Sequence, residues 1–85
     1  MITFTYQIHS CMGLHARPAS DLSTIARSFT SKITMRSKNR SANVRRIVDL
    51  MEMNVCRNEI VIFEIEGDDE QAAAIRLQKF CERNL

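Results

Sequence analysis

The sequence predicts an α+β fold: one antiparallel sheet with helices packed on one face and water on the other. Three observations carry this. Short segments of period-two alternation interleave with segments of helical spacing, in the order strand, helix, strand, strand, helix, strand, helix. Two of the strands follow each other across a hairpin turn, which makes them antiparallel. With 85 residues the chain has room for a single domain, residues 1–85, because two cores would each fall near the roughly 40-residue limit for independent folding.

Residues 2–8 alternate strictly, with Ile2, Phe4, Tyr6 and Ile8 on one face and Thr3, Thr5 and Gln7 on the other, the pattern of a half-buried strand. From 16 to 29, Pro18, Ala19, Leu22, Ile25, Ala26 and Phe29 recur at helical spacing and form one stripe facing a core. Residues 32–36 alternate again with Ile33 and Met35 inward, Ser37-Lys38-Asn39-Arg40 turns the chain, and a short strand near Arg40–Asn43 follows. Asn39 is the expected positive-φ residue of that turn. The segment 44–53 carries Val44, Ile47, Val48 and Met51 at helical offsets, closed by Asn54 in the left-handed conformation. Residues 59–66 form the clearest strand, with Val61, Phe63 and Ile65 on one face. Asp68 or Asp69 then caps a last helix whose stripe is Ala73, Ala74, Leu77, Phe80 and Cys81.

A composition 45% hydrophobic and 26% charged, with two Gly and one Pro, excludes a disordered or collagen-like chain. No apolar run approaches a membrane span and the first residues lack a signal-peptide pattern, so a cytoplasmic protein with no membrane insertion is expected. Cys11, Cys56 and Cys81 cannot all be bridged, which argues for reduced thiols; Cys56 and Cys81 are expected to pack as small hydrophobes. The net charge of +2 hides an asymmetry: residues 1–57 hold nine bases against three acids, residues 58–85 three bases against seven acids. Such polarity steers anionic ligands or acidic partners.

Chemistry concentrates in Gly13-Leu14-His15-Ala16-Arg17-Pro18-Ala19, where the first strand gives way to the first helix. Gly13 allows a sharp turn, His15 falls at the helix cap, and Pro18 sits in the first turn where no intrahelical N–H is lost. The free N–H groups of Ala16 and Arg17, with the Arg17 guanidinium, make an anion site. An imidazole there is placed as a nucleophile, with the same amides and Arg17 stabilising the charge of an arriving phosphoryl group.

The heptad, the element order and the length resemble HPr, the histidine-containing phosphocarrier family of the sugar phosphotransferase system, over essentially the whole chain; the Glu-Gly-Asp-Asp-Glu-Gln run at 66–71 adds to the resemblance. The resemblance implies a four-stranded antiparallel open-faced β-sandwich with three helices. It implies a phosphoryl group accepted on Nδ1 of His15 with Arg17 stabilising charge, donated by phosphorylated Enzyme I and passed to an enzyme IIA in sugar uptake. It also implies docking on the first two helices, through Ser20, Thr24 and Arg27 around Ala16 and Arg17, then Ile47, Val48 and Met51. A carrier of this kind needs neither cofactor nor metal, and one face serving two partners is most simply monomeric.

The match has departures. Met12 stands where the family commonly has a small polar residue, Arg46 where many members have a regulatory serine, Asp49 on a surface more often neutral or basic, and Asn39 and Asn54 at turns where glycine is common. Serine-based control is therefore not expected at position 46. Within the resemblance, a regulatory paralogue not dedicated to sugar import is the alternative. Outside it stand a His9–Cys11–His15 metal site, which lacks a fourth ligand, and nucleic-acid binding through Arg36, Lys38, Arg40, Arg45 and Arg46, which lacks stacking aromatics.

Overall fold

A computed structural model describing residues 1–85 shows β1 (Ile2–Gln7), α1 (Ala16–Arg27), β2 (Lys32–Ser37), β3 (Arg40–Asn43), α2 (Ile47–Glu52), β4 (Ile60–Glu66) and α3 (Glu70–Asn84). The four strands form one antiparallel sheet in the order β1-β4-β2-β3. This is the expected α+β open-faced sandwich.

The strands alternate because one face is dry. Ile33 and Met35 of β2 and Val61, Phe63 and Ile65 of β4 are buried, while Thr3, Thr5 and Gln7 of β1 face water. Phe4 lies directly opposite Phe63 across the β1–β4 ladder, and their rings stack at 4.9 Å with a 16° interplanar angle. Fully burying Phe63 contributes about 1.5–3 kcal/mol, and the aromatic pair adds to that. Leu22 and Ala26 of α1 and Ala73, Leu77 and Cys81 of α3 close the core from the helical side.

Several elements differ locally from the sequence expectation. The hairpin turn is Lys38-Asn39, but Lys38 holds the positive φ, 56°, and Asn39 does not. The first helix ends at Arg27, not 29, with Phe29 half-buried beyond it. The second helix is shorter than 44–53: Val44 is buried ahead of it, and only Leu50 of its six residues is buried. The stripe Ile47, Val48 and Met51 therefore faces outward. Asn54 closes this segment with φ 51°, as expected.

Asp69 is the N-cap residue of α3, yet its carboxylate makes no cap hydrogen bond. It accepts instead from the N–H groups of Thr30 (2.8 Å) and Ser31 (3.0 Å) and from the Ser31 hydroxyl, tying the α1–β2 loop to the start of α3. Glu70, the first helical residue, reaches back and accepts from Gly67 N–H at 3.1 Å, which holds the turn that leads into α3. The Ser31 hydroxyl, then the Thr30 amide, hold the Asp69 carboxyl down at about 2.

Candidate functional site

The chain leaves β1 by a tight turn, with Gly13 N–H donating to Ser10 O at 3.0 Å, and Leu14 N–H then donates to Val55 O at 3.0 Å. Gly13 has φ 64°, and a Cβ there would lie 2.4 Å from Val55 O and 3.0 Å from Cys56 Cα. Only glycine lets the two segments approach so closely. The other side of the turn is held by Leu85, whose carbonyl accepts from His9 N–H (2.5 Å) and Ser10 N–H (2.9 Å).

His15 is the N-cap of α1, with extended backbone (φ −91°, ψ −176°) and no side-chain cap bond. Its carbonyl accepts the first intrahelical bond, from Ala19 N–H at 3.1 Å. Pro18 is buried in the first turn and lacks an N–H, so the unsatisfied donors of this helix end are Ala16 N–H and Arg17 N–H. The imidazole is half-buried, with Nδ1 3.3 Å from Gly13 O. Arg17 is exposed and its guanidinium makes no hydrogen bond or ion pair within the protein. An imidazole, two amides and a free guanidinium thus gather at the positive end of a twelve-residue helix. The arrangement can bind an anion and stabilise negative charge delivered to the ring.

The residues expected to form a partner surface divide into two groups. Ile47, Val48 and Met51 are exposed on α2, 37%, 58% and 41%, and Met12 is exposed in the turn before Gly13 at 69%. Met51 and Met12 line one shallow depression with His15, Cys11, Cys56 and Arg57. Ser20 is exposed on α1, whereas Thr24 and Arg27 are partly engaged in structure. Thr24 Oγ1–H donates to Ser20 O at 3.0 Å; the Arg27 guanidinium donates to Ser23 Oγ (2.5 Å), Thr24 Oγ1 (3.3 Å) and Arg45 O (3.2 Å). Arg27 braces α1 against the entry to α2 while leaving part of its charge at the surface.

The basic run of the sequence does not form a free patch. Arg36 pairs with Glu64 at 2.7 Å, Arg40 with Glu59, and Arg46 with Asp49 at 3.7 Å, while the Arg45 guanidinium donates to Phe29 O beyond the end of α1. Arg46 is the N-cap of α2 and makes no cap bond. No three His, Cys, Asp or Glu side chains gather as a metal-binding group, so His9, Cys11 and His15 do not converge. Cys56 is exposed, contrary to its expected packing, because residues 56–58 form a surface turn; Cys11 is exposed too, and Cys81 is buried as expected. The placement of Cys56 beside His15 carried no signal in the sequence. No helix is long and apolar enough to cross a membrane.

Comparison with known proteins identifies the family and the fold. The family described as PTS HPr component phosphorylation site matches residues 2–83. The phosphocarrier protein HPr of Buchnera aphidicola (subspecies Baizongia pistaciae) is 35% identical over 68 residues, covering 80% of each chain. The crystal structure of an HPr from Thermoanaerobacter tengcongensis superposes with a TM-score of 0.91 at 34% identity, covering 96% of this chain and 92% of that one. The Bacillus subtilis catabolite repression protein Crh, crystallised as a domain-swapped dimer, superposes with a TM-score of 0.77 at 27% identity, covering 100% of this chain and 98% of that one. A phosphorylation-site family spanning nearly every residue, with HPr relatives and solved HPr structures matching along the chain, leads to one assignment: the chain belongs to the HPr family of phosphocarrier proteins.

Proposed function

We propose that residues 1–85 act as one phosphocarrier domain, taking a phosphoryl group onto His15 from phosphorylated Enzyme I and passing it to an enzyme IIA-type protein. The observation that carries this reading is the half-buried imidazole at the N-cap of α1, beside the unsatisfied Ala16 and Arg17 amides and the unpaired Arg17 guanidinium. A neutral ring nitrogen attacks the phosphorus, the nitrogen–phosphorus bond forms as the donor's link breaks, and the proton displaced from His15 leaves with the donor's side chain. The amides and Arg17 stabilise the charge on the transferring group. His9 lacks this setting, for its ring lies edge-on to Tyr6 at 5.8 Å and caps no helix.

The exposed Ile47, Val48, Met51 and Met12, bordered by Ser20, Thr24 and Arg27 on α1, are read as the face both partners cover in turn. One face used in turn by two partners fits a cytoplasmic monomer; the swapped Crh dimer defines the competing oligomeric state, which sedimentation velocity separates. The likeness to Crh also favours a second reading, a regulatory carrier charged by the same donor but serving no sugar importer.

The test is incubation with phosphoenolpyruvate and Enzyme I, read by intact mass. An acid-labile phosphate is expected on wild type and on His9→Ala, and none on His15→Ala. Loss of the signal in a folded Cys11→Ser variant would sink the reading in favour of thiol chemistry. Transfer from the charged protein to enzyme IIA then separates sugar uptake from the regulatory role.

A further inference from the structure

We propose that Cys11 and Cys56 form a thiol-modification site at the edge of the His15 depression, where an anionic low-molecular-weight disulfide such as oxidised glutathione reacts and shuts off phosphoryl acceptance. The loss-of-acceptance half of this proposal rests on the reading of His15 as the acceptor.

The fold sorts the three cysteines sharply. Cys81 is buried in α3, and burial, followed by the nearby Glu82 charge, pushes its thiol up to about 12. Cys11 and Cys56 are exposed, and both line the depression that also holds His15. They come from distant parts of the chain. Their segments are joined where Leu14 N–H donates to Val55 O at 3.0 Å, and they run so close that a Cβ on Gly13 would lie 3.0 Å from Cys56 Cα. Cys56 Sγ–H donates only to Asn54 O, at 3.4 Å, which leaves the sulfur accessible.

The charge around these thiols selects the reagent. Arg57 lines the depression, no carboxylate does, and Arg57 forms no ion pair. Glu59 accepts from Cys56 N–H at 3.2 Å, but Arg40 pairs with that carboxylate. The positive end of α1, with free Arg17, stands beside His15. An anionic disulfide is therefore drawn toward the two thiols.

In the reaction a cysteine thiolate attacks one sulfur of the disulfide, the protein–glutathione S–S bond forms as the original S–S bond breaks, and glutathione thiolate leaves to take up the proton the cysteine lost. The cysteine sulfur is oxidised and the departing glutathione reduced, so no further oxidant is consumed. The attached tripeptide adds bulk and net negative charge to the face a phosphorylated donor must cover.

The test treats the folded chain with oxidised glutathione or with cystamine, a cationic disulfide, removes the reagent, maps adducts by peptide mass and assays phosphorylation by Enzyme I. Mixed disulfides are expected on Cys11 and Cys56 with Cys81 unmodified. The glutathione-to-cystamine rate ratio should exceed that of the urea-unfolded chain at least about threefold at low salt, and shrink in Arg57→Ala. Phosphoryl acceptance should fall at least about tenfold and return with dithiothreitol, whereas the Cys11→Ser/Cys56→Ser chain is unaffected by treatment. Adducts confined to Cys81, an unchanged rate ratio, or full acceptance by the modified chain would each overturn the proposal. If untreated protein takes up no phosphate, the acceptor reading fails, and the adduct map and rate ratio still decide the modification site by themselves.

Discussion

The His15 imidazole turns back on the Gly13 carbonyl, with Nδ1 3.3 Å from the oxygen. A carbonyl only accepts, so the contact requires the hydrogen on Nδ1 and leaves the lone pair of the neutral ring on Nε2. At that length the bond is weak, and breaking it costs about 0.5–1.5 kcal/mol at most. If His15 accepts on Nδ1, as the resemblance implies, that hydrogen must first leave Nδ1, which breaks the contact with Gly13. Gly13 sets the resting orientation of the imidazole through its own backbone.

Gly13→Ala is expected to damage both fold and site. The new Cβ would meet Val55 O at 2.4 Å at a φ of 64°, so the turn must shift. A loss of about 1–3 kcal/mol is expected in urea unfolding, with a slower phosphorylation rate in the fraction that remains folded. A variant as stable as wild type would show that the approach of the two segments is not needed.

Arg17→Ala tests transfer apart from stability. The exposed guanidinium makes no internal contact, so the unfolding midpoint should hardly move. Phosphorylation by Enzyme I should slow about tenfold, equal to about 1.4 kcal/mol of transition-state stabilisation. Equal rates would remove Arg17 from the mechanism.

Ser23→Ala probes the brace between α1 and α2. Buried Ser23 donates to Arg45 O at 2.8 Å and accepts from Arg27, so the change removes both bonds and leaves only the longer Arg27–Arg45 O contact of 3.2 Å to join the two segments. A destabilisation of about 0.5–1.5 kcal/mol is expected by chemical denaturation.

Asp69 makes acid stability titratable. Its carboxyl is held at about 2, below its ordinary 3.8, so its contribution is complete above pH 3.8 and is lost as pH falls toward about 2. Asp69→Asn should lower stability at neutral pH and flatten the loss across that acid window. Parallel wild-type and variant curves of stability against pH would refute the assignment.

Arg46→Ser exchanges a cation at the N-cap of α2 for a capping hydroxyl. The Arg46–Asp49 pair is exposed on the arginine side, so its loss matters little, and the cap should stabilise by about 0.5–1 kcal/mol. If Arg46 meets an acidic partner, association with Enzyme I at low salt weakens in the same variant; unchanged binding removes it from the docking face.

Much of the fold was legible along the chain. Alternation marked β1, β2 and β4, and helical spacing marked α1 and α3, because these elements each bury one face and the burial leaves its period in the residue order. The heptad from Gly13 to Ala19 was legible for a related reason. Turn, cap and first-turn residues act on their own backbone, so their chemistry is written locally. The α2 spacing marked a helix but overran its ends, 44–53 against Ile47–Glu52, because a six-residue helix that buries only Leu50 leaves little periodicity to fix its bounds.

What the sequence by itself determined was which segments are strands and helices, which side chains face inward, and that a histidine opens a helix beside an arginine. The tertiary structure alone decided the β1-β4-β2-β3 order, the reach of Asp69 to Thr30 and Ser31, the binding of Arg45 to Phe29, and the seating of Val55 and Cys56 against Gly13. The reason is physical: periodicity records that a face is buried but not what buries it. The partner is chosen only when the whole core packs at once, and that choice set Cys56 beside His15.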